Sequence, residues 1–394
     1  MNALPLEVLL LLACARIYID ARQATRIKDW VSKDVDWASL LWMARSHQVM
    51  PLLYRALNST CPDAVPIAIL EELRERFYAN AGRNLFLAKE LLNILQTFNA
   101  HGISSIPYKG PVLAASVYGN LLLRQFADLD ILVREQKYQT AQNLLAAEGY
   151  QLKKEFDYES TLVHETGIFA VDLHRAMTAR DFACPLNFEY LSRSVHSVRI
   201  ADTAIPTLSP EDTLLMLAIQ ITKDSGSRYF QLAKICDIAE LLRVYPKVQI
   251  AQELSEAKKL GCERMLLYSL WLANDLLDAP LPQKVLYEMR YHSAMCTVFE
   301  YARQELFDSS ENKIDNKPPV DYFRMLIRER LRDKFHPYYV RYVTDVLTPC
   351  EIDRRLLPLP RKLSFLYYFI RPVRLLRKHA LLQTKQLLNG ERKR

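Results

Sequence analysis

Two aspartates, Asp128 and Asp130, stand one residue apart in RQFADLDILV, residues 124–133. The stretch otherwise reads as a core strand, because Leu129, Ile131, Leu132 and Val133 are apolar. At i and i+2 on a strand both carboxylates point to one face, with Cα atoms about 6.5 Å apart. Carboxylates so placed can share divalent cations through oxygen, and paired-ion sites hold their ions about 4 Å apart. Without a cation or solvent, two acids at the mouth of a core are costly. Spacing alone does not choose between metal ligation and a solvated strand end. The chain carries a second such pair, Asp34 and Asp36 in SKDVDWASLL, which precedes a helical pattern and reads as a capping segment with Asp36 as N-cap.

Context separates the two pairs. In GIFAVDLHRAM, residues 167–177, alternation puts Ile168, Ala170, Asp172 and His174 on one face and Phe169, Val171 and Leu173 on the other. If this strand neighbours the one bearing Asp128 and Asp130, three carboxylates converge; otherwise Asp172 is a surface-facing strand residue. Upstream, YKGPVLAASVY delivers Lys109 and Gly110 to a helix start. Gly110 allows close backbone approach and a helix N-terminus favours anions. Lys109 is either a point charge for phosphate or a solvated turn lysine. Arg124 either binds phosphate or pairs with an acid. His174 orients Asp172, touches a base or acceptor, or is a hydrogen-bonded structural histidine. Lys223 and Asp237 read as ordinary helix-end residues and His47 as a core histidine.

The elements that must hold these residues fall into three stretches. Residues 1–100 are helical in pattern, with helices expected over 5–19, 36–46, 49–57, 66–80 and 82–99. Residues 101–205 are the one α/β stretch. It comprises a strand over 103–108, a short helix with Pro111 at its first position and Gly119 just past its end, and the DLDILV strand. A helix over 135–147 closed by Gly149 follows, then strands in YQLKKEF and GIFAVDLHRAM. Helices return after Leu208, with Ser209 as N-cap and Pro210 first, and continue at about 228–245, 248–260, 262–277, 283–307 and 318–347.

The order strand, Lys-Gly, helix, D-x-D strand and later strand acid resembles the nucleotidyltransferase superfamily typified by DNA polymerase β. More narrowly, YKGPVLAASVYGNLLLRQFADLDILV, AQNLLAAEGY and VDLHRAM look like the bacterial uncharacterised nucleotidyltransferase family, with its K-G, R-x(3)-D-x-D and D-L-H pattern. The specific part spans about 105–175, and looser similarity extends to both sides. The resemblance implies an α+β, mostly helical fold, with a small polymerase-β-like α/β core flanked by helical regions. It implies a Mg²⁺-dependent enzyme, with two ions, that transfers a nucleoside monophosphate from an NTP to an acceptor and releases pyrophosphate. Asp128, Asp130 and Asp172 would be the catalytic acids and metal ligands. Lys109, Gly110, Arg124 and His174 would bind nucleotide. This chain departs from the pattern twice: Lys-Gly stands where the superfamily has Gly-Ser, and Gln220 stands where relatives carry a histidine. The alternatives are a non-catalytic nucleotide- or partner-binding module on the same fold and an RNA-directed nucleotidyltransferase. The acceptor is left open among small molecules, proteins or peptides, and RNA.

Bulk properties agree with a large core and locate the charge. Half of the 394 residues are hydrophobic and only 9 are Gly. The seven cysteines form no C-x-x-C pair and read as reduced thiols of a cytoplasmic protein. The apolar opening run follows Glu7 with no basic segment before it, so it reads as an amphipathic helix rather than a leader, and no run is long enough to span a membrane. The net charge of +7 is uneven: residues 354–394 carry twelve Lys/Arg against Glu391, leaving the rest at −4. The expected organisation is therefore 1–100 helical, 101–205 nucleotidyltransferase core, 206–350 helical and 351–394 a basic amphipathic tail. That tail either meets an anionic membrane surface, holds RNA, or packs its apolar face on the body.

Overall fold

The computed structural model describes residues 4–291 except 180–183, 185 and 226–229; beyond 291 it describes 298–299, 302, 306–307, 326–330, 366–368, 372 and 374. The chain divides into two units, Met1–Glu329 and Arg330–Arg394, and the fold below is that of the first. The basic tail, the helix expected over 318–347 and most of that over 283–307 lie outside the described residues, apart from those isolated positions.

The chain opens with α1 (Leu6–Cys14), α2 (Ala21–Val31), α3 (Trp37–Ser46), α4 (Met50–Thr60) and α5 (Ile67–Ala100). The Asp36 side chain accepts the Ser39 N–H at 3.0 Å, so the second aspartate pair does supply a helix cap. Helix α2 was not expected from the sequence; its polar run is started by Asp20, which accepts the Gln23 N–H at 2.7 Å. The two helices expected over 66–99 are one. Gly82 costs about 1 kcal/mol in a helix interior, too little to break a 34-residue helix that buries Leu73, Leu87, Leu91, Ile94 and Phe98.

The α/β part follows as β1 (Ser105–Pro107), α6 (Gly110–Tyr118), β2 (Asp128–Val133), α7 (Glu135–Ala147), β3 (Tyr150–Glu155), β4 (Glu159–His164) and β5 (Ala170–His174). These strands form one sheet in the order β1-β2-β5-β4-β3. Strands β2 and β5 run parallel, and every other pairing is antiparallel. Strand β4 was missed because the mixed polar run ESTLVH lacks a clean alternation; its Thr161 and Val163 were the available signal. Beyond the sheet come α8 (Phe188–Leu191) and a separate ribbon of β6 (Val195–Ile200) and β7 (Thr203–Leu208). Helices α9 (Pro210–Asp224), α10 (Leu232–Val244), α11 (Ile250–Leu260), α12 (Glu263–Leu277) and α13 (Gln283–Tyr291) complete the described body.

The sheet has a core on each side. Leu129, Ile131, Val133, Val171 and Leu173 face α5 and α7, packing with Leu91, Ile94, Phe98, Tyr138 and Leu145. Ile106, Tyr108 and Leu132 belong to the larger cluster built with the N-terminal helices and α9, α10 and α12. Strand alternation therefore sends Asp128 and Asp130 to the second side, toward the helical layer. Among the described cysteines, Cys14, Cys61, Cys184 and Cys236 are free and buried, and Cys262 is buried. No helix among the described residues is long and apolar enough to cross a membrane.

The junction of α9 and α11 carries a titration. Burial pushes Glu253 from 4.5 up to about 7, and Glu211, Asp212 and Glu256 add to the rise. A carboxyl raised in the native state favours unfolding once the unfolded chain ionises. Stability therefore falls as pH climbs from 4.5 toward 7 and stays lower above it. Glu253→Gln is expected to raise the thermal midpoint over the parent protein at about pH 8 and to leave it unchanged at about pH 4. Melting curves across that range check the sign; an equal shift at both ends would refute the cause given.

Candidate active site

Register, not sequence spacing, assembles the acids. In the β2–β5 pairing Asp130 stands directly opposite Asp172, and Asp128 opposite Ala170. In the β4–β5 pairing Thr161 stands opposite Asp172, and Glu159 opposite His174. One face of the sheet thus carries a row Asp130–Asp172–Thr161 with a row Leu132–His174–Glu159 beside it. Adjacent strands lie about 4.8 Å apart, so Asp130 and Asp172 are immediate neighbours.

Asp130 is the crowded member. Lys109 Nζ donates to its Oδ1 at 2.8 Å, Tyr108 OH lies 3.4 Å from the same oxygen, and His174 Nε2 is also 3.4 Å away. On the other side of the His174 ring, Glu159 Oε2 lies 3.3 Å from Nδ1, near it but outside hydrogen-bond geometry. Burial opposes ionisation of Asp130, but Lys109 and His174 outweigh it and hold its carboxyl well below the usual range. Burial, reinforced by Asp130, pushes Asp128 up to about 6. The same two causes raise Asp172 against the hydrogen bond from Thr161. Asp172 Oδ1 is buried with no hydrogen-bond partner.

Lys109 and Gly110 stand where expected, at the start of α6. Gly110 has φ +53°, and a Cβ there would lie 3.2 Å from the Asp128 carbonyl oxygen. That left-handed, close-packed position is what requires glycine. Gly119 closes the same helix in the left-handed region, as its position past the apolar run predicted.

Of the two roles open to Arg124, the structure shows the pairing with an acid. Its Nε and Nη2 donate to the two carboxylate oxygens of Asp237 on α10, each at 2.9 Å. Tyr118 OH donates to Asp237 Oδ1 at 2.7 Å. Asn84 in α5 donates to the Leu121 and Arg124 carbonyls at 2.6 and 2.7 Å. A buried bidentate pair commits the guanidinium to Asp237 and pins the segment entering β2. The sequence had set Asp237 aside as a helix-end residue, because nothing in the chain order pairs it with Arg124. Glu159 was missed together with β4. Lys223, near the end of α9, donates to Tyr158 OH at 3.1 Å and lies over that ring. His47 is buried, as expected of a core histidine.

The carboxylate oxygens of Asp128, Asp130 and Asp172 are donors of the kind a hard divalent cation takes, and one of them, Asp172 Oδ1, is buried and unpartnered. Among the described residues no group of three or more His, Cys, Asp and Glu side chains is already gathered as a cation cage; Asp130 is engaged by Lys109 instead. A cavity of about 750 Å³ lies along the β1 edge against α5, α8 and β7. None of the site residues lines it.

The profile described as "Uncharacterised nucleotidyltransferase" matches residues 33–278. The chain belongs to the uncharacterised nucleotidyltransferase family. It is accordingly a nucleotidyltransferase with an α+β, mostly helical fold. No curated protein matches it. Among solved structures, this nucleotidyltransferase is similar to the lincosamide antibiotic adenylyltransferase LnuA in its lincomycin-bound form. The identity there is 21%, covering 40% of this chain and 96% of that one, with a TM-score of 0.30. It is also similar to ANT(2")-Ia in complex with adenylyl-2"-tobramycin, at 13% identity over 44% of this chain and 97% of that one, TM-score 0.33. A third is an antigenic nucleotidyltransferase-like protein from Paracoccidioides brasiliensis, at 14% identity over 51% of this chain and 96% of that one, TM-score 0.30.

The Arg124–Asp237 pair gives a direct stability prediction. Asp237→Ala strands a buried guanidinium and is expected to cost about 3–5 kcal/mol in urea unfolding. The double variant Arg124→Met, Asp237→Leu is expected to recover most of that loss, because neither charge then remains buried alone. A double variant no more stable than Asp237→Ala would refute this account.

Proposed function

We propose that this nucleotidyltransferase moves a nucleoside monophosphate from an NTP to an acceptor, with release of pyrophosphate, on the carboxylate face of the β2–β5 pair. The reading is carried by one observation: Asp130 and Asp172 are register partners, with Asp128 two residues before on the same face. Asp128, Asp130 and Asp172 are the residues that would hold Mg²⁺, two ions in our reading. When bound, Mg²⁺ supplies charge neutralisation for the triphosphate and polarises the phosphorus under attack.

The chain's own residues divide the remaining work. The backbone at Gly110 and the α6 N-terminus accept the triphosphate, since Gly110 lets phosphate oxygens approach and the helix end favours negative charge. Lys109 adds a point charge there. Asp172, whose Oδ1 is buried and unpartnered, would receive the proton of the acceptor's attacking group. The attacking atom forms its bond to the α-phosphorus as the bond to pyrophosphate breaks. His174, lying between Asp130 and Glu159, orients Asp130. We place the core at 101–205, between helical regions 1–100 and 206–350 that shape the acceptor side. The free, buried cysteines support a cytoplasmic setting.

The test is transfer of label. Purified protein with Mg²⁺, each α-³²P-labelled NTP and cell lysate is expected to label an acceptor. Asp128→Asn and Asp172→Asn should each reduce labelling by about 10²–10³-fold, the usual loss of one electrostatic stabiliser. Labelling undiminished in both variants would remove the carboxylates from the chemistry; metal-dependent nucleotide binding without pyrophosphate release would favour a binding module.

A further inference from the structure

The positive charge at the carboxylate face is unevenly spread. Lys109 Nζ, Tyr108 OH and His174 Nε2 all lie on Asp130 Oδ1, while Asp172 Oδ1 has no hydrogen-bond partner. The ion pair is shielded: the side chains of Lys109 and Asp130 are 17% and 5% exposed. An ammonium 2.8 Å from Oδ1 crowds the space in which a divalent cation on that oxygen would lie, since Mg²⁺–oxygen contacts are about 2.1 Å. Two cations at one oxygen also repel each other, the more strongly away from bulk water.

The same lysine sits beside the place where triphosphate would dock. It is the residue before Gly110, at the start of α6, with extended backbone. Gly110 packs against the Asp128 carbonyl, which fixes the main chain, so any displacement falls to the four-carbon side chain, a flexible stem with rotatable donors. A phosphate at the α6 N-terminus would offer that ammonium a second partner within reach of the same backbone position.

We propose that Lys109 is a built-in placeholder cation: in the nucleotide-free protein it satisfies Asp130 and keeps divalent metal off that carboxylate, and it is drawn to the triphosphate when nucleotide arrives. This inference rests on the carboxylate metal site proposed above. Metal and nucleotide then bind cooperatively, each raising the affinity for the other by the same factor. The device keeps the carboxylates partly neutralised in the absence of substrate and opens the site when a triphosphate is present.

The test uses Mn²⁺ alone, with bound and free ion counted by electron paramagnetic resonance on the full-length, nucleotide-free protein. Lys109→Met keeps the stem and removes the charge; it is expected to bind Mn²⁺ at least about tenfold more tightly than the parent. Lys109→Arg should stay as weak as the parent. Adding Asp130→Asn to Lys109→Met should abolish the gain. If Lys109→Met melts well below the parent, Lys109→Gln serves in its place. Equal or weaker Mn²⁺ binding without the lysine charge, in a protein whose binding still depends on Asp128 or Asp172, overturns the placeholder and leaves the metal site standing. Binding indifferent to Asp128→Asn and Asp130→Asn in every background overturns the metal site itself.

Discussion

Two like charges in register on adjacent parallel strands are the constraint around which this molecule is organised. Asp130 beside Asp172, with Asp128 two residues away, is an arrangement that burial penalises. The protein answers it locally and unequally. Asp130 receives an ammonium and a hydroxyl, with the His174 imidazole 3.4 Å away. Asp128 and Asp172 are left with a raised preference for the proton. A face under that strain is stable only because the reverse side of the same strands is fully apolar, with Leu129, Ile131, Val171 and Leu173 packed on α5 and α7. Hydrophobic burial on one side supports the electrostatic cost on the other.

The buried Arg124–Asp237 pair extends the same logic from the sheet to the helices. It joins the segment entering β2 to α10, and Tyr118 ties in the end of α6. Both flanks of the carboxylate face are thereby fixed: α6 and the acid-bearing strand share one polar anchor. A pair of this kind adds little net stability over apolar side chains, but it fixes position through its two-point geometry. Arg124 is held at two points by Asp237, whereas Lys109 makes one hydrogen bond to Asp130 and lies over the Tyr108 ring on a flexible stem.

Much of the local structure was legible in the chain. The cap at Asp36, the short helix between Lys109 and Gly119, the DLDILV strand and the helix over 135–147 stand where residue type and spacing put them. Where local reading failed, a weak local signal was overruled by packing. The pattern was divided into helices over 66–80 and 82–99, and the buried stripe of α5 runs through both. The strand at 159–164 has too few apolar residues to declare itself and exists because β5 and β3 pair on either side of it. With that strand went Glu159, whose Oε2 lies 3.3 Å from His174 Nδ1.

The sequence by itself determined which side chains were available and which way each faced: period-two alternation in DLDILV and AVDLH puts their acids opposite their apolar residues. It could not determine which strands are neighbours. That Asp130 meets Asp172 across 42 residues, that Arg124 pairs with Asp237, and that Lys109 lies on Asp130 are facts of pairing between distant segments. Such pairings are settled by closing the whole core at once, and no local spacing carries them.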